Sequence, residues 1–263
     1  MKLKQNIIVI IIALFSFDGL SSVPRCQELF FNLDDQPTTT HAIEPNLHQA
    51  RLVSEKVDMG QVRRIISRLS GVAPIDSQGL LTGRETVEQK ERVRNFITRY
   101  AQDLGFQVLN EKFQVEVEIK SSKNREQFSG ENIIVVILGL ETPEEIIELN
   151  AHYDTTSKSN PGADDNGSGV ATLLEIARLF SNGIYPKKTI HLVFSDLEEK
   201  GSLGTKEHLN LITYQDQLAA SLVIDTIGYA PRGSDYDPKS PFAVEMGSEV
   251  MHLHPSSFDK TKI

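Results

Sequence analysis

Four short runs rich in β-branched and apolar residues, at positions 132–138, 145–151, 189–194 and 221–224, alternate with helical stripes, and that alternation constrains the fold most. Between the second and third runs, residues 169–180 put Val170, Leu173, Leu174 and Ala177 on one side of a helix, and after the third run residues 205–211 predict a weaker one. Upstream, Val62, Ile65, Ile66 and Leu69 recur at helical spacing before Gly71 and Pro74. A stronger stripe of Val93, Phe96, Ile97, Tyr100, Ala101 and Leu104 is closed by Gly105. Residues 106–119 alternate partly at period two and predict a strand, with the polar stretch 121–130 expected as a turn. Strands interleaved with helices predict an α/β protein, a three-layer α/β/α sandwich around a mixed, largely parallel central sheet.

The amino-terminal segment has a different character. Lys2 and Lys4 precede a nearly unbroken apolar run at 7–15, and Gly19, Ser21 and Ser22 supply small residues for cleavage. Residues 1–22 are therefore expected to be a signal peptide, and the product to be secreted or periplasmic. The run falls short of the ~20 residues that span a bilayer, so no stable membrane anchor is expected. Residues 23–55, interrupted by Pro37 and Pro45 and without sustained periodicity, predict a linker or poorly ordered segment, and 56–263 a single domain. Cys26 is the only cysteine, which leaves the core to be held by burial rather than by an intrachain disulfide. A net charge of −9 speaks against nucleic acid as a partner. The oligomeric state is left open.

The chemistry gathers at the ends of the apolar runs. His152-Tyr153-Asp154 closes one, Gly162-Ala163-Asp164-Asp165-Asn166-Gly167-Ser168-Gly169 leads into a helix, Glu198-Glu199 follows another run, and Ile224-Asp225 ends the last. One imidazole with several carboxylates is a donor set for zinc, and the carboxyl edge of an open α/β sheet is where ligands bind. Asp154 stands two positions from His152, so on an extended strand both share a face, and its carboxylate can accept the second imidazole N–H. Taken singly, each motif has a blander reading. Residues 164–167 alone would be a surface turn, Glu198-Glu199 a solvated loop edge, and His152 a hydrogen-bonded core histidine. Their joint arrival at one edge favours metal-assisted hydrolysis. His191, in mid-strand, is expected to pack or to make a polar contact rather than to bind metal.

In order and spacing these motifs resemble the secreted di-zinc aminopeptidases (peptidase family M, number twenty-eight, the bacterial leucyl aminopeptidase-like zinc exopeptidases) over roughly residues 57–229. The resemblance implies a zinc-peptidase-like domain and two Zn2+ ions. Asp165 would bridge them, His152 and Asp225 would complete the first ion, and Glu199 would bind the second. Glu198 would act as general base, Asp154 would orient His152, and the peptide between Asp165 and Asn166 would be cis. The implied activity is hydrolysis of a peptide or protein substrate from one end, as an aminopeptidase. The family draws a further histidine from far beyond the Asp225 position, whereas only His252 and His254 follow it here. The domain is therefore expected to be C-terminally short and the second zinc site incomplete. Two other readings stay open: a family member with one metal or no turnover, and a glutaminyl-cyclase-like zinc acyltransferase.

Overall fold

The computed structural model describes residues 52–118, 125–212 and 217–228, with Lys4, Ile7 and Ile11 as isolated positions before them. The chain divides into two units, Met1–Val57 and Asp58–Ile263, and every element named below belongs to the second. Most of the expected signal peptide and linker, together with His252 and His254, lies outside the described residues. Among the described residues no helix is long and apolar enough to cross a membrane.

Helix α1 (Met59–Leu69) starts where the Asp58 side chain accepts the N–H groups of Gly60 and Gln61, and it buries Val62, Ile65 and Leu69. It stops at Gly71, whose φ of +74 suits a residue without a β-carbon. Helix α2 (Val87–Asp103) opens with a reciprocal cap between Thr86 and Gln89 and buries Val93, Ile97 and Ala101. Gly105 ends it at φ +89, as its position predicts.

Strand β1 (Gln107–Glu118) pairs antiparallel with β2 (Arg125–Ile137) along its whole length. Here the structure corrects the sequence reading. Residues 125–130, expected as turn, are the first half of β2, and residues 119–124 lie outside the described part. Pairing with β1 makes this polar segment a strand. Val115 stands opposite Phe128, Glu116 pairs with Arg125 at 3.0 Å, and the Phe113 ring covers Gly130 so closely that a β-carbon there would lie 2.3 Å from it.

Strands β3 (Thr142–His152), β4 (Lys188–Ser195) and β5 (Leu218–Val223) complete a five-stranded sheet of order β1-β2-β4-β3-β5. It is mixed, as expected. β3 runs parallel to both β4 and β5, and β2 runs antiparallel to β1 and β4. The register sorts the side chains into two faces. Ala151, Phe194 and Ile133 share one face with Leu149, Leu192 and Val135. Glu131 shares that parity and pairs with Arg94 of α2, so α2 lies on this face. Helix α3 (Gly167–Phe180) packs on β3 and is buried along nearly its whole length, with α1 against it. Each fully buried Leu, Ile or Phe of α3 contributes about 1.5–3 kcal/mol, so this helix anchors the domain.

The other face carries Glu148, His191, Asn150 and Asn132. Helix α4 (Leu203–Leu211) covers it. His208 of α4 reaches Glu148 and Glu111, the Gly204 carbonyl accepts the Asn132 side-chain N–H, and Leu203 packs with Phe113 and Leu197. Helices on both faces make the three layers. His191 is buried on β4 among these polar groups, in keeping with a packing role.

Candidate metal centre

The parallel strands β4, β3 and β5 end at one edge, and the residues singled out above arrive there together. His152 is the last residue of β3, Asp225 follows β5, and Asp165 immediately precedes Asn166, the N-cap of α3. After β4 the chain passes through Leu197, in the left-handed region at φ 55, into a single 3-10 turn, Glu198–Lys200.

His152 stands at the centre. Its Nε2 lies 3.1 Å from Asp165 Oδ1 and 3.6 Å from Asp225 Oδ1, and its Nδ1 lies 3.3 Å from Asp154 Oδ1. None of these approaches is a hydrogen bond, and both ring nitrogens are buried without a hydrogen-bond partner. Donor atoms of His152, Asp165 and Asp225 all lie within 4.8 Å of one another. Ligands held ~2.0–2.1 Å from a tetrahedral zinc stand ~3.3 Å apart, a value that the observed 3.1 and 3.6 Å bracket. The donor set and its spacing therefore fit zinc. His152 is only 3% exposed, whereas the Asp165 and Asp225 side chains are 48% and 43% exposed, so the cluster opens to solvent on its carboxylate side. A catalytic zinc site needs such an open side; a structural one does not.

The electrostatics show the same demand for a cation. Burial opposes charging the His152 ring, but the carboxylates of Asp154, Asp165 and Asp225 outweigh it and raise its pKa to about 12. His152 in turn lowers the pKa of Asp165, against burial and with help from Arg84. Burial raises the pKa of Glu199, and repulsion from Asp165, Asp154 and Glu198 adds to it against the pull of His152. Glu199 Oε1 is also buried without a hydrogen-bond partner. Glu199 does not join the three-residue cluster.

Asp154 faces two ways. Besides His152, its carboxylate accepts the backbone N–H of Glu198 at 3.0 Å and of Glu199 at 3.2 Å. Ser202 donates to Glu198 Oε1 at 3.2 Å. Asn166 performs the corresponding task on the other side of the cluster. Its Oδ1 accepts the Gly169 N–H, and its Nδ2 donates to the Ile224 carbonyl beside Asp225. The Asp165–Asn166 peptide is cis, as the resemblance implies. Asp164, adjacent to Asp165 in the same run, is used differently: its Oδ1 accepts the Gly228 N–H and its carbonyl accepts the Ser168 hydroxyl.

Two buried cations here were not foreseen. Arg84 is fully buried and donates to the carbonyls of Leu69, Tyr153, Pro161, Gly162 and Asp165. Burial lowers its pKa to about 10 against the attraction of Asp154, Asp165 and Glu199, so it stays charged at neutral pH. Lys90 of α2 meets Asp196 at 2.8 Å, and Asp196 also accepts the N–H groups of Leu197 and Glu131. A lone arginine after Thr82-Gly83 has no periodicity to mark it. Lys90 carries at most a faint signal, three residues before Val93 on the apolar stripe.

Fold and site together define a zinc-peptidase-like α/β domain. Its resemblance to known proteins is in keeping with that. The model of peptidase family M28 matches residues 132–259 of the chain. A probable aminopeptidase of Saccharomyces cerevisiae is 27% identical over 222 residues, 78% of this chain, and the chain spans 56%, about half, of that relative's length. Among solved structures, a zinc aminopeptidase from Bacillus subtilis superposes with a TM-score of 0.53 at 14% identity, covering 65% of this chain and 70% of that one. A glutaminyl cyclase from Tannerella forsythia gives 0.51 at 21% identity, covering 66% and 63%. These two show the fold.

Proposed function

We propose that the chain is an exported zinc-dependent exopeptidase that acts on peptides as an aminopeptidase. The observation that carries this reading is the convergence of His152 Nε2, Asp165 Oδ1 and Asp225 Oδ1 at 3.1 and 3.6 Å beside the Glu198-Glu199 turn. The N-terminal pattern of Lys2, Lys4 and the apolar 7–15 run supports export.

His152, Asp165 and Asp225 would hold one zinc, and Asp165 with Glu199 would contribute to a second. Zinc, when bound, supplies a Lewis acid for the scissile carbonyl and acidifies water. The Asp154 carboxylate faces His152 Nδ1 at 3.3 Å and would orient the ring, which leaves Nε2 for the metal. By accepting the N–H groups of Glu198 and Glu199, the same carboxylate sets the position of the turn relative to His152. Glu198, oriented by Ser202, takes a proton from the attacking water and returns it to the leaving amine.

Zinc stoichiometry and peptide turnover, measured on the whole chain and on Glu198→Gln, test this. Two ions per chain with turnover lost in the variant support the reading, and full turnover by Glu198→Gln overturns the base. The fold is shared with glutaminyl cyclases, so the substrate panel includes a peptide with N-terminal glutamine. Release of the amino acid supports an aminopeptidase. Cyclisation with loss of ammonia replaces it with the acyltransferase.

A further inference from the structure

We infer that Arg84 is a positioning residue for the metal centre, one whose guanidinium holds the loop between His152 and Asp165 in its ligand-presenting shape before any metal binds. The inference rests on the zinc reading above. A guanidinium has five N–H groups in one plane, and here each has a carbonyl to meet. Nε donates to Tyr153, Nη1 to Leu69 and Pro161, and Nη2 to Gly162 and Asp165 at 2.9 and 3.4 Å. Two of these carbonyls matter most for the chemistry. Tyr153 is the residue after His152, and Asp165 is itself a candidate ligand. A single rigid fork therefore spans the stretch that separates the two donors.

The backbone of Arg84 adds to the hold. Its N–H donates to Thr155 Oγ1 at 2.8 Å, and the Thr155 hydroxyl donates to the Ser157 carbonyl at 3.0 Å. Gly162 shows how closely the loop folds around the fork. A β-carbon there would lie 2.4 Å from Nη2, 2.4 Å from the Asp165 carbonyl oxygen and 2.5 Å from Thr155 Cγ2, and its φ is +53, so a glycine is what lets the loop close on the arginine. Charge points the same way. Asp154, Asp165, Glu198, Glu199 and Asp225 crowd one edge, and a full positive charge buried behind Asp154, Asp165 and Glu199 offsets their repulsion. Lysine would keep that charge but brings three donors at one point, too few and too close together to span five carbonyls.

Two measurements test the inference. In wild-type protein stripped with a chelator, the Arg84 Nε–H, followed by NMR with labelled arginine, is expected to resist solvent exchange as strongly as in the zinc-loaded protein. Free exchange that slows only when zinc is added would overturn a pre-formed loop. Zinc affinity is then measured by chelator competition on Arg84→Lys and Arg84→Met, well below their thermal midpoints. Both are expected to bind zinc about tenfold to a hundredfold more weakly, the range typical of lost support for metal ligands. Unchanged affinity in a folded Arg84→Met, or full rescue by Arg84→Lys, would overturn the role of the fork. If neither variant folds, the exchange measurement decides. Absence of zinc binding by the wild type would overturn the zinc reading and the positioning role with it, whereas zinc binding that the variants retain overturns the positioning role alone.

Discussion

The Asp154 carboxylate accepts the backbone N–H of Glu198 at 3.0 Å across 44 residues of sequence, while standing 3.3 Å from the ring of His152. One side chain thus joins the end of β3 to the turn after β4, and couples the candidate metal ligand to the candidate base. Replacing it with asparagine leaves one oxygen for two N–H groups and removes the charge facing Nδ1. Asp154→Asn is expected to weaken zinc binding about tenfold to a hundredfold and to lower turnover further through the loosened turn. Chelator competition and kcat measured at saturating zinc separate the two losses. Wild-type affinity in the variant would count against the coupling.

Glu198→Gln isolates proton transfer. The amide keeps an oxygen for the Ser202 hydroxyl, so the turn is expected to persist and zinc content to match the wild type. Turnover is expected to fall ~10²–10⁴-fold, the usual contribution of a positioned base. Steady-state kinetics with zinc analysis on the same preparation provides the check.

Lys90→Met leaves Asp196 buried without its closest cation, since Arg94 stands 3.9 Å away. Breaking one side of such a pair costs about 3–5 kcal/mol, because the remaining charge has no water to turn to. A correspondingly lower midpoint in denaturant is expected, and Lys90→Met with Asp196→Asn is expected to recover part of it. A single variant as stable as wild type would show that Arg94 and the two backbone N–H groups suffice for Asp196.

His208 gives the stability of the chelated protein an alkaline limb. Burial opposes its charge, but Glu111 of β1 at 2.7 Å and Glu148 of β3 at 3.0 Å hold its pKa raised to about 9, against an ordinary 6.5. A raised folded-state pKa means that the contribution is complete below 6.5 and is lost as pH climbs through 9. His191 of β4 has the opposite sign. Its pKa is lowered, chiefly by burial and also by His208, against Glu148 and Glu111, so it erodes stability on the acid side. Urea unfolding from pH 6 to pH 10 should show the alkaline decline in wild type and a flatter curve in His208→Gln.

What could be read from the sequence followed period and position. The runs that became β3 and β4 are rich in β-branched and apolar residues because they are covered on both faces, and the ligands stand out because they follow the apolar runs at one end. Residues 125–130 could not be read the same way. Arg125, Glu126 and Gln127 have the composition of a turn, and their strand geometry comes from the facing residues of β1. Asp164 and Asp165 are likewise equivalent by type. In the fold the Gly228 N–H, delivered from after β5, ties the first into loop structure, while the second faces His152. Arg84 was invisible for a related reason: the partners of its guanidinium are all backbone carbonyls, which every residue possesses.

Among the described residues β5 is an edge strand, paired only with β3, and Asp225 is the donor that it carries to the cluster. His152 and Asp165, by contrast, flank the loop that Arg84 bonds, and the segment after β5 meets that loop through Asn166 and Asp164. A cation that requires all three donors therefore gives its binding free energy to keeping that strand on the sheet, by RT ln(1 + [L]/Kd). With such an ion bound, undocking of β5 and release of the ion would become a single equilibrium, and zinc concentration would set how often this edge of the sheet opens.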